Sequence, residues 1–148
     1  MDFKAKWFCK NGPFSRHKYY WWNLITAWWP INKVGTLYIC PTPIGNLDDV
    51  SQRLIDVLNN VDLIYCEDTR RAKKLLNYFG IETGIESYFI GNEVNKIEDI
   101  KSHLGNNLNL ALISDAGTPL ISDPGNKLVE TINNQGFKVE SIPGPSSV

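Results

Sequence analysis

The chain has 148 residues, of which 43% are hydrophobic and 21% charged, and its formal net charge is −1. This composition is typical of one soluble domain, and the ordinary glycine and proline content excludes collagen-like and low-complexity disordered proteins. A net charge near zero excludes a polycationic nucleic-acid-binding chain. The three cysteines lack CxxC spacing, which disfavours a disulfide framework or a zinc site and favours the reducing cytoplasm.

Two segments of different composition meet near Val34. Residues 1–34 contain all five tryptophans and six Lys/Arg against one acidic residue, whereas residues 35–148 contain nine Lys/Arg and fifteen Asp/Glu. We predict that residues 1–34 are an aromatic-rich basic extension, either foreign to the native protein or disordered. Their apolar stretch over residues 19–31 is shorter than the ~20 residues that span a bilayer. A tryptophan-rich helix at a membrane interface is an alternative.

Strand and helix signals alternate over residues 35–90. An apolar run predicts a strand over residues 35–40, and apolar residues at helical spacing from Leu47 to Val61 predict a helix. Asp48 and Asp49 are expected in the first turn of this helix, where its dipole favours anions. A second strand is predicted over 62–66, a helix over 72–79 that ends at Gly80, and a third strand over 86–90.

The same alternation continues to residue 142. A helix is predicted over residues 97–104, ended by Gly105, and a fourth strand over 108–114. The next helix is predicted over 124–135, with Asp123 as N-cap, Pro124 as its first residue and Gly136 after its end. A fifth strand is predicted over 137–142. Strands that alternate with helices predict βαβ units and a parallel sheet with helices on both faces.

Ligands of such sheets bind beyond the carboxyl ends of the strands, so the loops that follow strands are expected to contain the site. We call residues 41–46 the first loop, 67–71 the second, 115–123 the third and 143–147 the fourth. The first loop has two stiffening prolines and Gly45, which permits close backbone approach, but it lacks the GxGxxG pattern of dinucleotide sites. A plain proline-rich turn is its alternative interpretation.

The second and third loops contain the polar groups. In the second, Asp68 or Thr69 can cap the following helix, and Arg70, Arg71 and two lysines crowd its first turns. Basic residues there indicate either an RNA-backbone contact or a solvated charged face. The third loop has nine residues where two to six are usual, and its backbone N–H groups, hydroxyls and carboxylates could hold a small polar ligand. Capping alone would explain Asp123.

The strings GTLYICPTPIGNLDD, DLIYCEDTRRAKKLL, ALISDAGTPLISDPG and PGPSS occur in this order. Together they resemble the ribosomal RNA small subunit methyltransferase I family of the tetrapyrrole methylase superfamily, over residues 35–148. The resemblance implies S-adenosylmethionine-dependent methylation of a cytidine 2′-oxygen in 16S rRNA. It also implies an α/β domain with a five-stranded parallel sheet of order 3-2-4-1-5, in which the first and third loops converge. A second domain and a homodimer are implied as well.

The resemblance also implies roles for particular residues. The cofactor-binding residues expected from it are Pro43, Gly45, Asp115, Ala116, Gly117, Thr118 and Pro119. Arg70 and Arg71 are expected to contact RNA phosphate, and Glu67 and Asp68 are candidates for the general base that a ribose hydroxyl needs. We expect neither a metal nor a membrane partner.

Because the resemblance covers about the first half of the family's pattern, we expect an incomplete form of the enzyme. One alternative is an inactive remnant or interaction protein that acts through residues 1–34. Another is a small-molecule tetrapyrrole methylase, against which the basic second loop argues.

Overall fold

The computed structural model describes residues 34–89, 91–120 and 125–146. Almost all of the basic extension predicted at the N-terminus therefore lies outside the described residues. The strands are β1 (Thr36–Cys40), β2 (Leu63–Cys66), β3 (Gly84–Ser87), β4 (Leu110–Ile113) and β5 (Lys138–Ser141). The helices are α1 (Gln52–Asn60), α2 (Thr69–Tyr78), α3 (Glu93–Gly105) and α4 (Asn126–Asn134), and a short 3-10 helix (Leu47–Asp49) precedes α1.

The five strands form one sheet of order β3-β2-β4-β1-β5, and every pair of neighbours is parallel. This confirms the predicted fold class and strand order. In the middle of the sheet, Leu37 of β1 is aligned with Leu110 of β4 on one side and with Val139 of β5 on the other. Because β1 and β4 are neighbours, the first and third loops leave the sheet side by side.

Alternate residues of the strands build two apolar layers, one on each face of the sheet. Ile64, Ala111 and Ile113 pack on one face with residues of α1 and α2, among them Leu54 and Leu76. On the other face, strand residues pack with α3 and α4, in a cluster that includes Leu37, Ile39, Leu112, Ile100 and Leu128. Both faces are covered, which explains why the three central strands, β1, β2 and β4, are almost continuously apolar, whereas the edge strands β3 and β5 contain charged residues.

Asn109 joins three strands at the amino end of the sheet. Its side-chain Oδ1 accepts a hydrogen bond from the Thr36 backbone N–H at 3.1 Å. Its own backbone N–H donates to Asp62 Oδ2 at 2.7 Å, and its carbonyl accepts from the Asp62 N–H at 2.8 Å. Asn109 thus ties the beginnings of β1, β2 and β4 together at the edge opposite the loops.

All four helices begin at residues other than those predicted, the first and the last among them. The first helix was expected from Leu47, with Asp48 and Asp49 in its first turn, but Ser51 is the N-cap of α1 and its hydroxyl accepts from the Leu54 N–H. Val50 is extended and separates α1 from the 3-10 helix that contains the two aspartates. A β-branched residue favours this extended conformation, so the apolar spacing runs through a break in the helix.

The last helix begins later than predicted. It begins at Asn126 with Gly125 as N-cap. Asp123 and Pro124, which were expected as its N-cap and its first residue, lie outside the described residues. Leu120 packs so closely on Gly125 that a Cβ there would lie 2.3 Å from Leu120 Cδ2. The remaining elements were predicted with shifted ends, and α3 in particular begins at Glu93 rather than at residue 97.

Candidate functional site

The first and third loops are joined by a two-way backbone contact. The Thr42 N–H donates to the Gly117 carbonyl at 2.8 Å, and the Gly117 N–H donates to the Thr42 carbonyl at 2.9 Å. The expected convergence of these loops is confirmed. Because both backbone groups of Gly117 are used in this contact, its role in the structure is to hold the loops together.

Two buried hydroxyls reinforce this junction. Thr42 Oγ1 donates to the Ser114 carbonyl at 3.0 Å, and Ser114 Oγ donates to the Gly117 carbonyl at 2.9 Å. Gly117 has a φ of +84°, in the left-handed region that L side chains rarely adopt. A glycine is therefore required here by the backbone conformation.

Asp115 connects the third loop to the second. Its Oδ1 accepts from the Asp68 backbone N–H at 3.2 Å, and its Oδ2 pairs with Arg71 Nη1 at 3.2 Å. Asp68 is itself the N-cap of α2, since its Oδ1 accepts from the Arg70 N–H at 2.8 Å. The Asp115 carboxylate thus contacts both the N-cap residue of α2 and the side chain of Arg71.

The fourth loop closes on the first and third. Thr118 Oγ1 donates to the Pro145 carbonyl at 2.7 Å. Gly144 lies against Pro41, where a Cβ would be 2.3 Å from the proline Cγ. All four loops therefore meet at the carboxyl edge of the sheet.

A cleft of about 300 Å³ opens between the first loop, the third loop and α2. Its walls are mainly apolar and include Leu47, Leu75 and Ile113, and Asp115 lies at one side. Arg71 and Lys74, three residues apart on α2, both line it. The cleft therefore combines apolar walls with two cations from one helix face.

A second, narrower cavity lies on the other side of the third loop and is lined by Glu67, Tyr88, Pro119 and Leu120 among others. The Tyr88 hydroxyl is buried and has no hydrogen-bond partner among the described residues. Burial raises the pKa of Tyr88 to about 12, and the charge of Glu93 adds to the effect. A buried hydroxyl without a partner is uncommon and marks a place where a ligand group could be accepted.

Two buried thiols lie at the carboxyl ends of the central strands. Burial raises the pKa of Cys40 to about 12. Burial raises the pKa of Cys66 to about 12 as well, and the nearby charges of Asp115 and Asp68 act in the same direction. Neither thiol ionises at neutral pH, so neither is a nucleophile in this site.

The structure separates the predicted site residues into groups. Pro43, Asp115 and Arg71 line the cleft, whereas Glu67 and Pro119 line the narrow cavity. Gly117 and Thr118 make loop-to-loop contacts, and Gly45, Ala116 and Arg70 are exposed. Lys74 belongs with the cleft residues and is absent from the predicted site. Its spacing from Arg71 is the signal that could have identified it.

Within residues 34–89, 91–120 and 125–146, no three histidine, cysteine, aspartate or glutamate side chains come together in a way that could hold a metal ion. Over those same ranges, every helix is too short or too polar to cross a bilayer.

Comparisons with known proteins agree with this fold. The family described as Tetrapyrrole (Corrin/Porphyrin) Methylases matches residues 36–148. Proteins named ribosomal RNA small subunit methyltransferase I are 50% identical over 114 residues in Escherichia coli O157:H7 and 45% identical over 114 residues in Bacillus subtilis. The matches cover 77% of this chain but only 40% and 39% of those proteins. The Thermotoga maritima protein of the same name is 44% identical, with 78% of this chain and 52% of that protein covered.

Solved structures share the fold at low identity. Uroporphyrin-III-C-methyltransferase from Thermus thermophilus superimposes with a TM-score of 0.62 at 13% identity, over 76% of this chain and 49% of that one. Diphthine synthase superimposes with a TM-score of 0.62 at 16% identity, over 76% and 45% of the two chains. The chain therefore spans about half the length of the proteins that it matches.

Proposed function

The chain belongs to the tetrapyrrole (corrin/porphyrin) methylase family, and we propose that residues 35–148 are the donor-binding domain of an S-adenosylmethionine-dependent enzyme. Its proposed reaction is methylation of the 2′-oxygen of a cytidine ribose in 16S rRNA. The names of the curated relatives support this choice of substrate class. We further propose a cytoplasmic enzyme that acts as a homodimer on the small ribosomal subunit.

One observation supports the proposal above all others, namely the two-way contact between Thr42 and Gly117. It brings the first and third loops together at the carboxyl edge of a parallel sheet, which is the edge where such sheets bind ligands. Asp115 and Thr118 then draw the second and fourth loops to the same place. Four loops that meet at one place can each contact a different chemical group of the same ligand.

The residues at this edge fit S-adenosylmethionine. The cofactor has a flat adenine, a ribose with two hydroxyls and a methionine end with a positive sulfur, an ammonium group and a carboxylate. The loops offer apolar surface from Pro43 and an acceptor carboxylate in Asp115. Gly45 and Ala116 are exposed residues of the same loops. When bound, the cofactor supplies a methyl group activated by its positive sulfur.

The protein's contribution to such a reaction is mainly alignment, because methyl transfer is an in-line displacement that needs both substrates in one orientation. A ribose hydroxyl also needs a base to accept its proton. Asp68 Oδ1 is engaged as the α2 cap, whereas Glu67 lines the narrow cavity beside the third loop. We propose both Glu67 and Asp68 as candidates for the group that accepts this proton.

The test measures donor binding and methyl transfer separately. Calorimetry with S-adenosylhomocysteine should show binding to the 148-residue chain, and Gly117→Trp should abolish that binding. Transfer of labelled methyl groups is then measured on naked 16S rRNA and on small subunits, with the Escherichia coli relative as positive control. A folded chain that leaves S-adenosylhomocysteine unbound, under conditions in which the relative binds it, contradicts the proposal.

A further inference from the structure

We propose that the cleft between the first loop, the third loop and α2 receives the acceptor nucleoside of an RNA strand, with Arg71 and Lys74 holding the flanking phosphates. This inference rests on the proposed function and assigns a separate place to the second substrate. It also distinguishes the two basic residues that enter the cleft from the neighbouring Arg70 and Lys73, which do not line it.

The size and lining of the cleft suit one nucleoside taken out of a strand. Its volume of about 300 Å³ lies at the lower end of the ~300–1,000 Å³ of small-molecule sites. Leu75 and Ile113, both largely buried, form part of an apolar floor, and Leu47 covers the opening with 36% of its surface exposed. Apolar surfaces of this kind contact the faces of an extruded base.

The charges favour an RNA nucleotide over the methyl donor. S-adenosylmethionine has a cationic sulfur and no phosphate, so two cations at the same opening would repel its reactive end. An RNA strand has a phosphate on either side of each nucleoside, which matches two cations one helical turn apart. Lys74 makes no ion pair within the described part of the chain, so it is available for such a phosphate.

Asp115 lines the acceptor cleft and is also an expected contact of the methyl donor. Its pairing with Arg71 directs that guanidinium toward the cleft, although two thirds of the arginine side chain stays exposed. Pro43 and Asp115 line the cleft and are also expected donor contacts. Residues shared by two sites place the substrates side by side, as a direct transfer between them demands.

The first experiment compares two neighbouring lysines. Binding of a fluorescein-labelled single-stranded oligocytidine RNA to the 148-residue chain is measured by anisotropy over a range of salt concentrations. Lys74→Gln should weaken binding and reduce the slope of log K against log salt by about 0.7, the value for one phosphate contact on single strands. Lys73→Gln removes the same charge outside the cleft and should leave the slope unchanged. Equal slopes for the two variants would overturn the proposal.

The second experiment blocks the cleft itself. Leu47→Trp adds bulk at the opening without entering the core, and circular dichroism checks its fold. It should abolish the cleft-dependent part of oligocytidine binding, so that Lys74→Gln has no further effect in this background, while S-adenosylhomocysteine still binds. Loss of S-adenosylhomocysteine with RNA binding retained would assign the cleft to the donor and overturn the inference.

The two proposals fail in different ways. If the unsubstituted chain does not bind S-adenosylhomocysteine, the proposed function fails whatever the RNA result. If it binds S-adenosylhomocysteine but no RNA, or if Lys74→Gln behaves like Lys73→Gln, only the acceptor cleft is wrong. Should Leu47→Trp misfold, the comparison of the exposed lysines decides the question alone.

Discussion

Thr42 and Gly117 exchange backbone hydrogen bonds of 2.8 and 2.9 Å across the ends of two neighbouring strands. This contact fixes two loops that the family resemblance assigns to ligand binding, and it uses backbone groups only. The Thr42 and Ser114 hydroxyls reinforce the junction, so side-chain changes at other loop positions should leave it intact. Gly117 is the exception, because its φ of +84° excludes most other residues.

Gly117→Ala should lower the free energy of unfolding by ~1–2 kcal/mol, the cost of placing an L residue in the left-handed region. Urea unfolding measures the change. Gly105→Ala, at the end of α3 where an added Cβ meets nothing within 4 Å, is the control and should instead stabilise the chain by up to ~1 kcal/mol. A Gly117→Ala variant as stable as the unsubstituted chain would show that the loop adjusts freely.

Tyr88→Phe should raise the free energy of unfolding by about 1 kcal/mol, because it removes a buried hydroxyl that lacks a partner among the described residues. Tyr65→Phe is the matched control. The Tyr65 hydroxyl lies 3.0 Å from His103 Nδ1, so its removal should lower stability by a similar amount. Thermal unfolding of the two variants should shift in opposite directions, and a fall for Tyr88→Phe would mean that its hydroxyl makes a stabilising contact.

Asp115→Asn should cost less than about 1 kcal/mol of stability, since the side chain of its partner Arg71 is two-thirds exposed and ion pairs open to solvent contribute little. Asparagine also keeps an oxygen that can accept from the Asp68 N–H. Asp115→Ala removes both contacts and should cost more. A double-mutant cycle with Arg71→Gln measures the coupling, and a value well above 1 kcal/mol would contradict the description of this pair as solvent-screened.

Stability should fall as the pH rises above about 9, because the thiols of Cys40 and Cys66 ionise near 9 when unfolded but only near 12 when folded. Their contribution is complete below pH 9 and is lost at ~1.4 kcal/mol per pH unit for each thiol. Urea unfolding at pH 8, 9 and 10 tests this. Cys66→Ala should remove about half of the dependence, and stability that is constant up to pH 10 would contradict the prediction.

The sequence predicted the sheet well because the central strands β1, β2 and β4 are apolar runs and all five strands alternate with helix and turn signals. Helix starts were harder to predict. The apolar spacing from Leu47 to Val61 hides the extended Val50. The last helix begins at Asn126, where Gly125 packs closely against Leu120, a contact that the local capping pattern does not show. The first turn of α3 has one apolar residue, the exposed Val94, and its N-cap Asn92 makes no side-chain capping hydrogen bond, so the start at Glu93 was also missed. Sequence patterns over a few residues therefore do not locate a helix start that depends on tertiary contacts.

The candidate site was predictable as a set of loops but not as a set of contacts. The resemblance and the strand order indicated that the first and third loops meet, and the backbone pairing of Thr42 with Gly117 bears this out. The two contacts of Asp115 depend on residues 44 and 47 positions away in the chain, which no local pattern shows. The sequence did not distinguish Lys74 from the three neighbouring basic residues, whereas the structure shows that it lines the cleft.

Asn109 links the beginnings of β1, β2 and β4 at the amino edge of the sheet, opposite the four loops. A shift of one residue in the register of a strand would move its side chains from each face of the sheet to the other. The three hydrogen bonds at Asn109 oppose such a shift. The strands are thus aligned without help from the loops. Insertions and substitutions can accumulate at the carboxyl edge while the sheet stays unchanged, so a new substrate preference can evolve there without the cost of a new fold.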